Sequence, residues 1–156
     1  MRHLGPDEWT IFRDVRLAAL ADAPYAFGST WEHEKDRTEQ EWRRAVVSRT
    51  RYVAEADGQA VGMAAVGPST YTGAADVTSV WVAPAARGKG VGDSLVMALI
   101  GWARERGFTQ LLLWVADGNA HAEKLYERHG FSRTGDTKPV RPGEDRLEFQ
   151  MSARFA

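Results

Sequence analysis

The sequence contains no cysteine. This absence excludes disulfide bonds, thiolate metal sites and a cysteine nucleophile. The four histidines, at positions 3, 33, 121 and 129, lack the spacing of metal ligands, so we expect no metal site. A Gly-x-Ser-x-Gly motif is also missing, which leaves a covalent intermediate on serine with little support.

Long apolar runs and an excess of one charge are missing as well. The most apolar stretch, Leu95 to Ala103, is far below the roughly 20 residues that a membrane span needs. The formal net charge is -1, which gives no overall electrostatic footprint for nucleic acid. No apolar segment follows Arg2 as it would in a signal peptide. We therefore expect no membrane or nucleic-acid partner and a cytoplasmic location.

What is present is the composition of an ordinary globular domain. Of the 156 residues, 44% are hydrophobic and 26% are charged. No repeat, low-complexity tract or linker interrupts the chain. We therefore expect one domain over residues 1–156.

The apolar periodicity predicts an α/β fold. Helices are predicted from Pro6 to Pro24, from Thr38 through Val47, from a glycine-rich turn to Gly107, and from Asn119 to His129. Strands are predicted at residues 51–56, 60–66, 75–83, 111–115, 131–138 and 146–151. With one further strand at the start, the order β-α-α-β-β-β-α-β-α-β-β predicts a single mixed sheet with about four helices on both faces.

Two local signals support these boundaries. Thr38 and Glu41 have the spacing of a capping box, in which each side chain bonds the main-chain N–H of the other residue. Asp57-Gly58, between two predicted strands, is typical of a tight hairpin turn. The connection over residues 25–31 is unusually aromatic and receives no regular structure.

The most informative segment is residues 80–92. A strand ends there, and three glycines alternate into the start of an amphipathic helix. Glycines let a phosphate approach main-chain amides, and the first turn of a helix has unpaired N–H groups and a partial positive charge. Two cations, Arg87 and Lys89, lie in the same turn. The segment predicts a diphosphate-binding site; a turn that only reverses the chain is the alternative.

Two better-known glycine motifs do not fit this segment. A Walker A loop needs Ser or Thr after Gly-Lys, whereas Gly90 follows Lys89. A dinucleotide fingerprint needs a third glycine where Asp93 stands. We expect the Asp93 carboxylate to point away from a bound phosphate, as a partner of the helix dipole.

The pattern Arg87-x-x-Gly90-x-Gly92 after a hydrophobic strand resembles the signature of the GNAT superfamily of N-acetyltransferases. Residues 16–30 are similar to the acceptor-side helix pair of many bacterial members, and the resemblance then runs in order from about residue 52 to 151. A second segment resembles the downstream helix and strand of the family: Asn119-x-x-Ala122-x-x-Leu125-Tyr126-x-x-x-Gly130-Phe131.

The resemblance implies a fold and a co-substrate. It implies a mostly antiparallel sheet of six to seven strands, splayed between the fourth and fifth, with acetyl-CoA in the gap. The diphosphate would bind the amides of residues 88–92, the pantetheine arm would pair with the strand near Val80 and Val82, and an N–H near Trp81 or Val82 would polarise the thioester carbonyl. Asn119 would bond the pantetheine arm, cap its helix, or both. The implied cofactor-binding residues are Val80, Trp81, Val82, Arg87, Gly88, Lys89, Gly90, Val91, Gly92, Asn119, Ala122 and Tyr126.

Acetyl transfer to an amine needs an acid for the departing thiolate and a base for the amine proton. The resemblance makes Tyr126 the acid, with a core tyrosine as the alternative. Asp76 matches a strand glutamate that acts as base in members with histone-like substrates, but it is one methylene shorter, and a merely exposed aspartate is the alternative. Glu32 and water are the other candidates. Members that acetylate ribosomal N-termini carry a glutamate where Trp114 stands, which counts against their mechanism.

The expected acceptor-binding residues are Phe27, Trp31, Glu32 and Trp114, because aromatic walls suit an ammonium or an apolar group. The predicted function is direct transfer from acetyl-CoA to a primary amine of a small molecule or peptide within a ternary complex, without a metal. A transferase of a larger acyl group and a non-catalytic acyl-CoA sensor are the alternatives. The acceptor's identity and the choice between monomer and homodimer stay open.

Overall fold

The structure, a computed structural model, describes residues 1–155. Five α-helices and seven strands are found in this range. In chain order they are β1 (Arg2–His3), α1 (Trp9–Asp22), α2 (Trp31–Glu34), α3 (Glu39–Val47), β2 (Thr50–Ala56), β3 (Gln59–Pro68), β4 (Ala74–Val82), α4 (Val91–Glu105), β5 (Gln110–Ala116), α5 (Ala120–Arg128), β6 (Ser132–Pro139) and β7 (Leu147–Arg154).

All seven strands form one sheet in the order β1-β2-β3-β4-β5-β7-β6. Its neighbours are antiparallel except for β4 and β5, which are parallel. These two strands pair only over Ala74–Asp76 and Gln110–Leu112. Beyond that point β4 continues along β3 and β5 continues along β7, so a wedge opens between them. The predicted mixed sheet, mostly antiparallel and splayed between its fourth and fifth strands, is confirmed.

The two local signals form the predicted structures. Asp57 and Gly58 have φ values of 52° and 78°, as a tight hairpin turn requires. Thr38 Oγ1 accepts a hydrogen bond from the Glu41 N–H at 3.2 Å, and Glu41 Oε1 accepts one from the Thr38 N–H at 3.3 Å. The capping box therefore begins α3 where the sequence predicts it.

The aromatic connection over residues 25–31 differs from its prediction at both ends, because a 3-10 turn covers Pro24–Ala26 and Trp31 begins the short helix α2. Thr30 caps this helix, with its Oγ1 accepting a hydrogen bond from the His33 N–H at 3.1 Å. A four-residue helix has little propensity signal of its own and depends on its cap and on tertiary contacts. The first helix also begins later than predicted, at Trp9, after a 3-10 turn over Pro6–Glu8.

Each face of the sheet carries its own hydrophobic core. The core under α4 and α5 includes Leu95, Leu99, Leu111, Leu113 and Met151. The core under α1 and α3 includes Phe12, Leu20, Trp42, Val53 and Met63. The sheet therefore separates the helices of the two faces. The wedge between β4 and β5 is an opening within that sheet.

The first turn of α4 is held tightly against the sheet at Gly62. A Cβ at this position would lie 3.0 Å from Val91 Cγ1, 3.2 Å from Leu95 Cδ1 and 3.2 Å from a main-chain oxygen. We expect Gly62→Ala to lower the free energy of unfolding by about 1–3 kcal/mol, because the added methyl overpacks this contact. Urea denaturation measures the change.

Gly101 provides the matched control on the same helix. A Cβ there would meet no atom within 4 Å, so Gly101→Ala gains helix propensity without a clash. We expect this variant to be more stable by about 0.5–1 kcal/mol. Equal stabilities for the two variants would contradict the close approach of α4 to β3.

Candidate active site

A cavity that is open to solvent occupies the wedge between β4 and β5. Its walls come from both diverging strands, from the start of α5 and from the segment that precedes α2. The lining residues are Ala26, Phe27, Val77, Thr78, Ser79, Val80, Leu113, Trp114, Val115, Ala116, Asn119, Ala122 and Tyr126. A cavity at a point where parallel strands separate is a common place for a ligand in α/β proteins.

The β4 wall is irregular where it borders the cavity. The pairing with β3 passes from Trp81 opposite Met63 to Thr78 opposite Ala65, so β4 has one extra residue. Ser79, within this bulge, has a φ of 59°, which is uncommon outside glycine. The bulge interrupts the β4–β3 ladder at the residues that line the cavity, and it marks this segment as a candidate binding surface.

The glycine-rich turn opens onto solvent at the start of α4. Gly88 and Gly90 have φ values of 76° and 80°, and a Cβ on either would meet no atom within 4 Å. Gly90 is the N-cap of α4, so the unpaired amides of the first turn follow directly. Gly92 has a second reason to lack a side chain, because a Cβ there would lie 3.1 Å from Leu125 Cδ2 on α5.

Arg87 is tied to α1 and β4 in this structure. Its Nη2 donates to Asp22 Oδ2, and its Nε donates to the Val82 carbonyl at 3.1 Å. Trp81 Nε1 donates to the same Asp22 oxygen at 2.9 Å, and the indole lies in the core under α1. Val80 lines the cavity, whereas the side chain of Trp81 faces α1 because the β4 bulge reverses the alternation of side chains beyond Ser79.

Helix α5 and its N-cap bring Tyr126 and Asn119 to the cavity wall. Tyr126 is only 7% exposed, and burial raises the pKa of its hydroxyl, so the phenol stays protonated at neutral pH. Asn119 Oδ1 accepts a hydrogen bond from the Ala122 N–H at 3.2 Å, which confirms its role as the helix cap. A protonated phenol and an amide side chain are therefore available to a molecule in the wedge.

Asp93, in the first turn of α4, is directed toward α5. Its Oδ1 is 2.7 Å from His129 Nε2, and both of its oxygens accept from Arg128 Nη2 at 3.2 Å. The hydrogen bonds from Arg128 and His129 lower the pKa of this carboxyl. Its charge is therefore balanced on the side of α5, as expected for a residue that must not repel an anion at the glycine turn.

Comparisons with known proteins agree with this geometry. The family model described as the acetyltransferase (GNAT) family matches residues 14–131. The chain belongs to the GNAT acetyltransferase family. The streptothricin acetyltransferase of Streptomyces lavendulae is 41% identical over 88 residues, which cover 56% of this chain and 47% of that protein.

Two further GNAT relatives cover more of the chain. The mycothiol acetyltransferase of Thermomonospora curvata is 32% identical over 131 residues, covering 83% of this chain and 42% of that protein. The crystal structure of the ribosomal-protein-alanine N-acetyltransferase from Brucella melitensis has a TM-score of 0.77 and 27% identity, covering 99% of this chain and 98% of its own. The chain spans less than half the length of the curated relatives described here.

Of the four residues expected to bind the acceptor, Phe27 and Trp114 line the cavity, whereas Trp31 and Glu32 lie outside it on the exposed surface of α2. Lys138 Nζ lies 4.3 Å from the Trp114 ring centroid and 3.6 Å from Glu148 Oε1. An ammonium is thus already held between an aromatic face and a carboxylate beside the cavity.

Glu148 is a functional candidate that sequence reasoning missed. It is half-buried on β7, and burial raises its pKa even though the charge of Lys138 opposes the shift. It pairs with Ala116, two positions along β5 from Trp114, so both side chains point to the same face of the sheet. The alternation within β7 could have placed Glu148 on this face only if the pairing of β7 with β5 were known.

Asp76 lies at the closed end of the wedge. It pairs with Gly67 on β3 and with Leu112 on β5, at the last position where β4 and β5 are hydrogen-bonded. Its main-chain carbonyl accepts a hydrogen bond from Arg49 Nη2. The lining of the cavity begins one residue later, at Val77.

Glu34 is the second site residue without a sequence signal. It is fully buried, and Arg16 donates to both of its oxygens at 3.0 Å. Arg16 also donates to Ser79 Oγ at 2.9 Å, which connects this ion pair to the β4 bulge. Burial alone would raise the pKa of Glu34, but the hydrogen bonds and charges of Arg16 and Arg37 outweigh it and hold the pKa below its usual range.

Within residues 1–155, no three histidine, aspartate or glutamate side chains lie together as a metal site would need. In the same part of the chain, no helix combines the length and apolarity required to cross a bilayer.

Proposed function

We propose that this chain transfers an acetyl group from acetyl-CoA to a primary amine of a small molecule or peptide, by direct attack within a ternary complex. The observation that carries this proposal is that one strand, β4, connects the wedge to the glycine-rich turn. Residues 77–80 of β4 border the wedge, and the downstream end of the strand runs through the glycine turn into the N-terminus of α4. A molecule with a diphosphate at one end and a thioester at the other fits that arrangement.

Acetyl-CoA would lie along β4, with its diphosphate at the solvent-exposed glycine turn and its thioester inside the wedge. The diphosphate would accept hydrogen bonds from the amides of residues 88–92, with charge supplied by Arg87 and Lys89. Binding would draw Arg87 away from Asp22. The pantetheine arm would pair with β4 where that strand has left β5, and Asn119 and Ala122 would contact it from α5.

The thioester would lie where β4 and α5 approach each other. Because the cavity lining ends at Val80, we place the main-chain donor to the thioester carbonyl within the bulge, at Ser79 or Val80, rather than at Trp81 or Val82. Tyr126 would donate its proton to the thiolate as the C–S bond breaks. Its raised pKa suits an acid that must hold the proton until that moment.

The attacking amine would take the place that Lys138 marks, between Trp114 and Glu148. The carboxylate would attract the ammonium, and the aromatic face would hold it by a cation–π contact. Glu148 is a further candidate for the base that removes the amine proton, beside Asp76, Glu32 and water. Glu148 is the best placed of the three carboxylates, since Glu32 is exposed on α2 and Asp76 lies at the closed end of the wedge.

Two measurements on the purified protein test the proposal. Titration calorimetry with acetyl-CoA is expected to show binding, and a panel of primary amines is expected to increase the release of free coenzyme A. Binding without amine-dependent release would favour the non-catalytic sensor. No binding by folded protein would refute the proposal, and faster release from propionyl-CoA would favour the larger acyl group.

The contribution of the glycine turn is tested by reversing one charge, Lys89→Glu. We expect acetyl-CoA affinity to fall roughly 10- to 100-fold, the effect of losing a charge-assisted hydrogen bond and adding repulsion, and the loss to shrink in high salt. Arg44→Glu, which reverses an exposed charge on α3, is the matched control and should leave the affinity unchanged. Equal effects of the two variants would place the diphosphate elsewhere.

A further inference from the structure

Four arginines gather on the face of the sheet that carries α1 and α3. We call Arg16, Arg37, Arg49 and Arg51 the arginine cluster. They act on one another electrostatically, because the positive charges of the other three oppose ionisation of Arg51. Burial, together with these charges, lowers the pKa of Arg51 to about 10. Like charges held together in a half-buried place need a reason, since each raises the free energy of the others.

The carboxylates near the cluster offset only half of its charge. Glu34 binds Arg16 through both oxygens, and its Oε1 lies 3.5 Å from Arg37 Nη1. Asp76 contributes a second negative charge, which acts on Arg49. Four guanidinium groups against two carboxylates leave these six side chains with an excess of two positive charges.

Arg49 and Arg51 donate to neutral oxygens. Arg51 donates from Nε to the Ala45 carbonyl at 3.0 Å and from Nη2 to Ser48 Oγ at 3.3 Å. Arg49 donates from Nη2 to the Asp76 carbonyl. Neither guanidinium group therefore makes the direct contact with a carboxylate that Arg16 makes, and a ligand's carboxylate would supply one.

Arg49 also has an unused donor. Among the described residues 1–155, its Nε is buried and has no hydrogen-bond partner. The guanidinium lies against the main chain of Gly67, where a Cβ would be 3.3 Å from its Cζ and Nη2. A buried donor without a partner is costly, so Arg49 would gain a hydrogen bond by turning its guanidinium toward an acceptor on a ligand.

The cluster adjoins the proposed acceptor side of the cavity. Arg16 donates to Ser79, and its Cζ lies 5.2 Å from the ring centroid of Phe27; both of these residues line the cavity. Arg49 meets β4 at Asp76, one residue before the lining begins. The excess charge is therefore next to the place where an acceptor would extend away from the thioester.

We propose that the acetyl acceptor carries a carboxylate, which binds at the arginine cluster with Arg49 as one of its partners, while its amine lies toward Trp114. The acceptor class is therefore amino acids or short carboxylated amines rather than polycations. A planar carboxylate matches the donor geometry of a guanidinium, and the cluster repels an acceptor with a second ammonium. This inference rests on the proposed acetyl transfer and defines its substrate class.

The test compares each amino acid with its own amide at saturating acetyl-CoA. The series runs from glycine to 6-aminohexanoate and includes 4-(aminomethyl)benzoate, because the distance between the two ends of the acceptor is not fixed beforehand. At least one acid is expected to have a kcat/KM roughly 10- to 100-fold above that of its amide, through a lower KM. Equal values in every pair, faster amides, or no acetylation of any acid would overturn the inference.

Arg49→Gln and Arg49→Lys test the residue itself. Arg49→Gln is expected to raise KM for the preferred acid about 10-fold or more while kcat changes little, and Arg49→Lys is expected to recover part of that loss. Arg44→Gln, an exposed arginine on α3, is the control and should leave KM unchanged. A purely structural role would instead lower the melting temperature and change the acid and the amide alike, which would refute the assignment.

The donor titration distinguishes this inference from the proposed function. If folded protein fails to bind acetyl-CoA, the proposed function fails and this inference fails with it. If acetyl-CoA binds and amides are acetylated as well as acids, only the carboxylate site is wrong.

Discussion

Tyr126→Phe is expected to lower kcat for acetyl transfer roughly 10²- to 10⁴-fold, the range that a positioned general acid contributes. The substitution removes one hydroxyl from a residue that is 7% exposed and leaves the ring packed against Phe131, at a centroid distance of 5.7 Å. Acetyl-CoA affinity should therefore change little. Steady-state release of coenzyme A, together with calorimetry, separates the two effects.

Tyr52→Phe is the matched control for this prediction. Tyr52 is half-buried, and burial raises its pKa as it does that of Tyr126, but Tyr52 lies on β2 away from the cavity. We expect its replacement to leave kcat within about twofold of the parent. Unchanged turnover in Tyr126→Phe across the pH range would remove the acid assignment and leave Tyr126 as a core residue.

Glu34→Gln is expected to lower the free energy of unfolding by about 3–5 kcal/mol at neutral pH, because it leaves the buried Arg16 without its anion. Glu34 is 1% exposed, and Arg16 is 14% exposed. Glu32→Gln is the matched control on the same short helix. Glu32 is exposed, so its replacement should change stability by no more than about 0.5 kcal/mol.

The pH dependence of the stability difference between the parent protein and Glu34→Gln follows from the direction of the pKa shift of Glu34. The pKa of Glu34 is lowered in the folded protein from its ordinary 4.5, so the carboxylate stabilises the fold fully above that value. The stabilisation is lost as the pH falls through the lowered folded pKa. Urea denaturation at pH 7 and below pH 4 should show the gap between parent and Glu34→Gln narrowing. A gap that stays constant with pH would mean that the ion pair does not stabilise the fold.

The sequence predicts several local features well, because each depends on residues that are neighbours in the chain. The glycine turn, the capping box at Thr38 and the apolar strand over residues 111–115 each follow from neighbouring residues, and the structure contains all three. The cap by Asn119 follows in the same way.

The acceptor side was less predictable, because it depends on side chains that are distant in sequence. Glu32 and Glu34 are two residues apart in the same polar segment, and nothing local shows that only Glu34 is buried. The indole of Trp81 faces α1 because one extra residue in β4 reverses the alternation of side chains. Glu148 joins Trp114 only through the pairing of β7 with β5.

The sequence by itself determined the family pattern, the glycine-rich turn and the order of strands and helices apart from α2, since each is encoded in residues that are close together in the chain. The tertiary structure decided where the charges meet. Arg16 and Glu34 are 18 residues apart, and Arg49 reaches the Asp76 carbonyl across 27. Which acid neutralises which arginine depends on how α1, α2 and β2 pack on one face of the sheet, and that packing is set by the burial of both cores together.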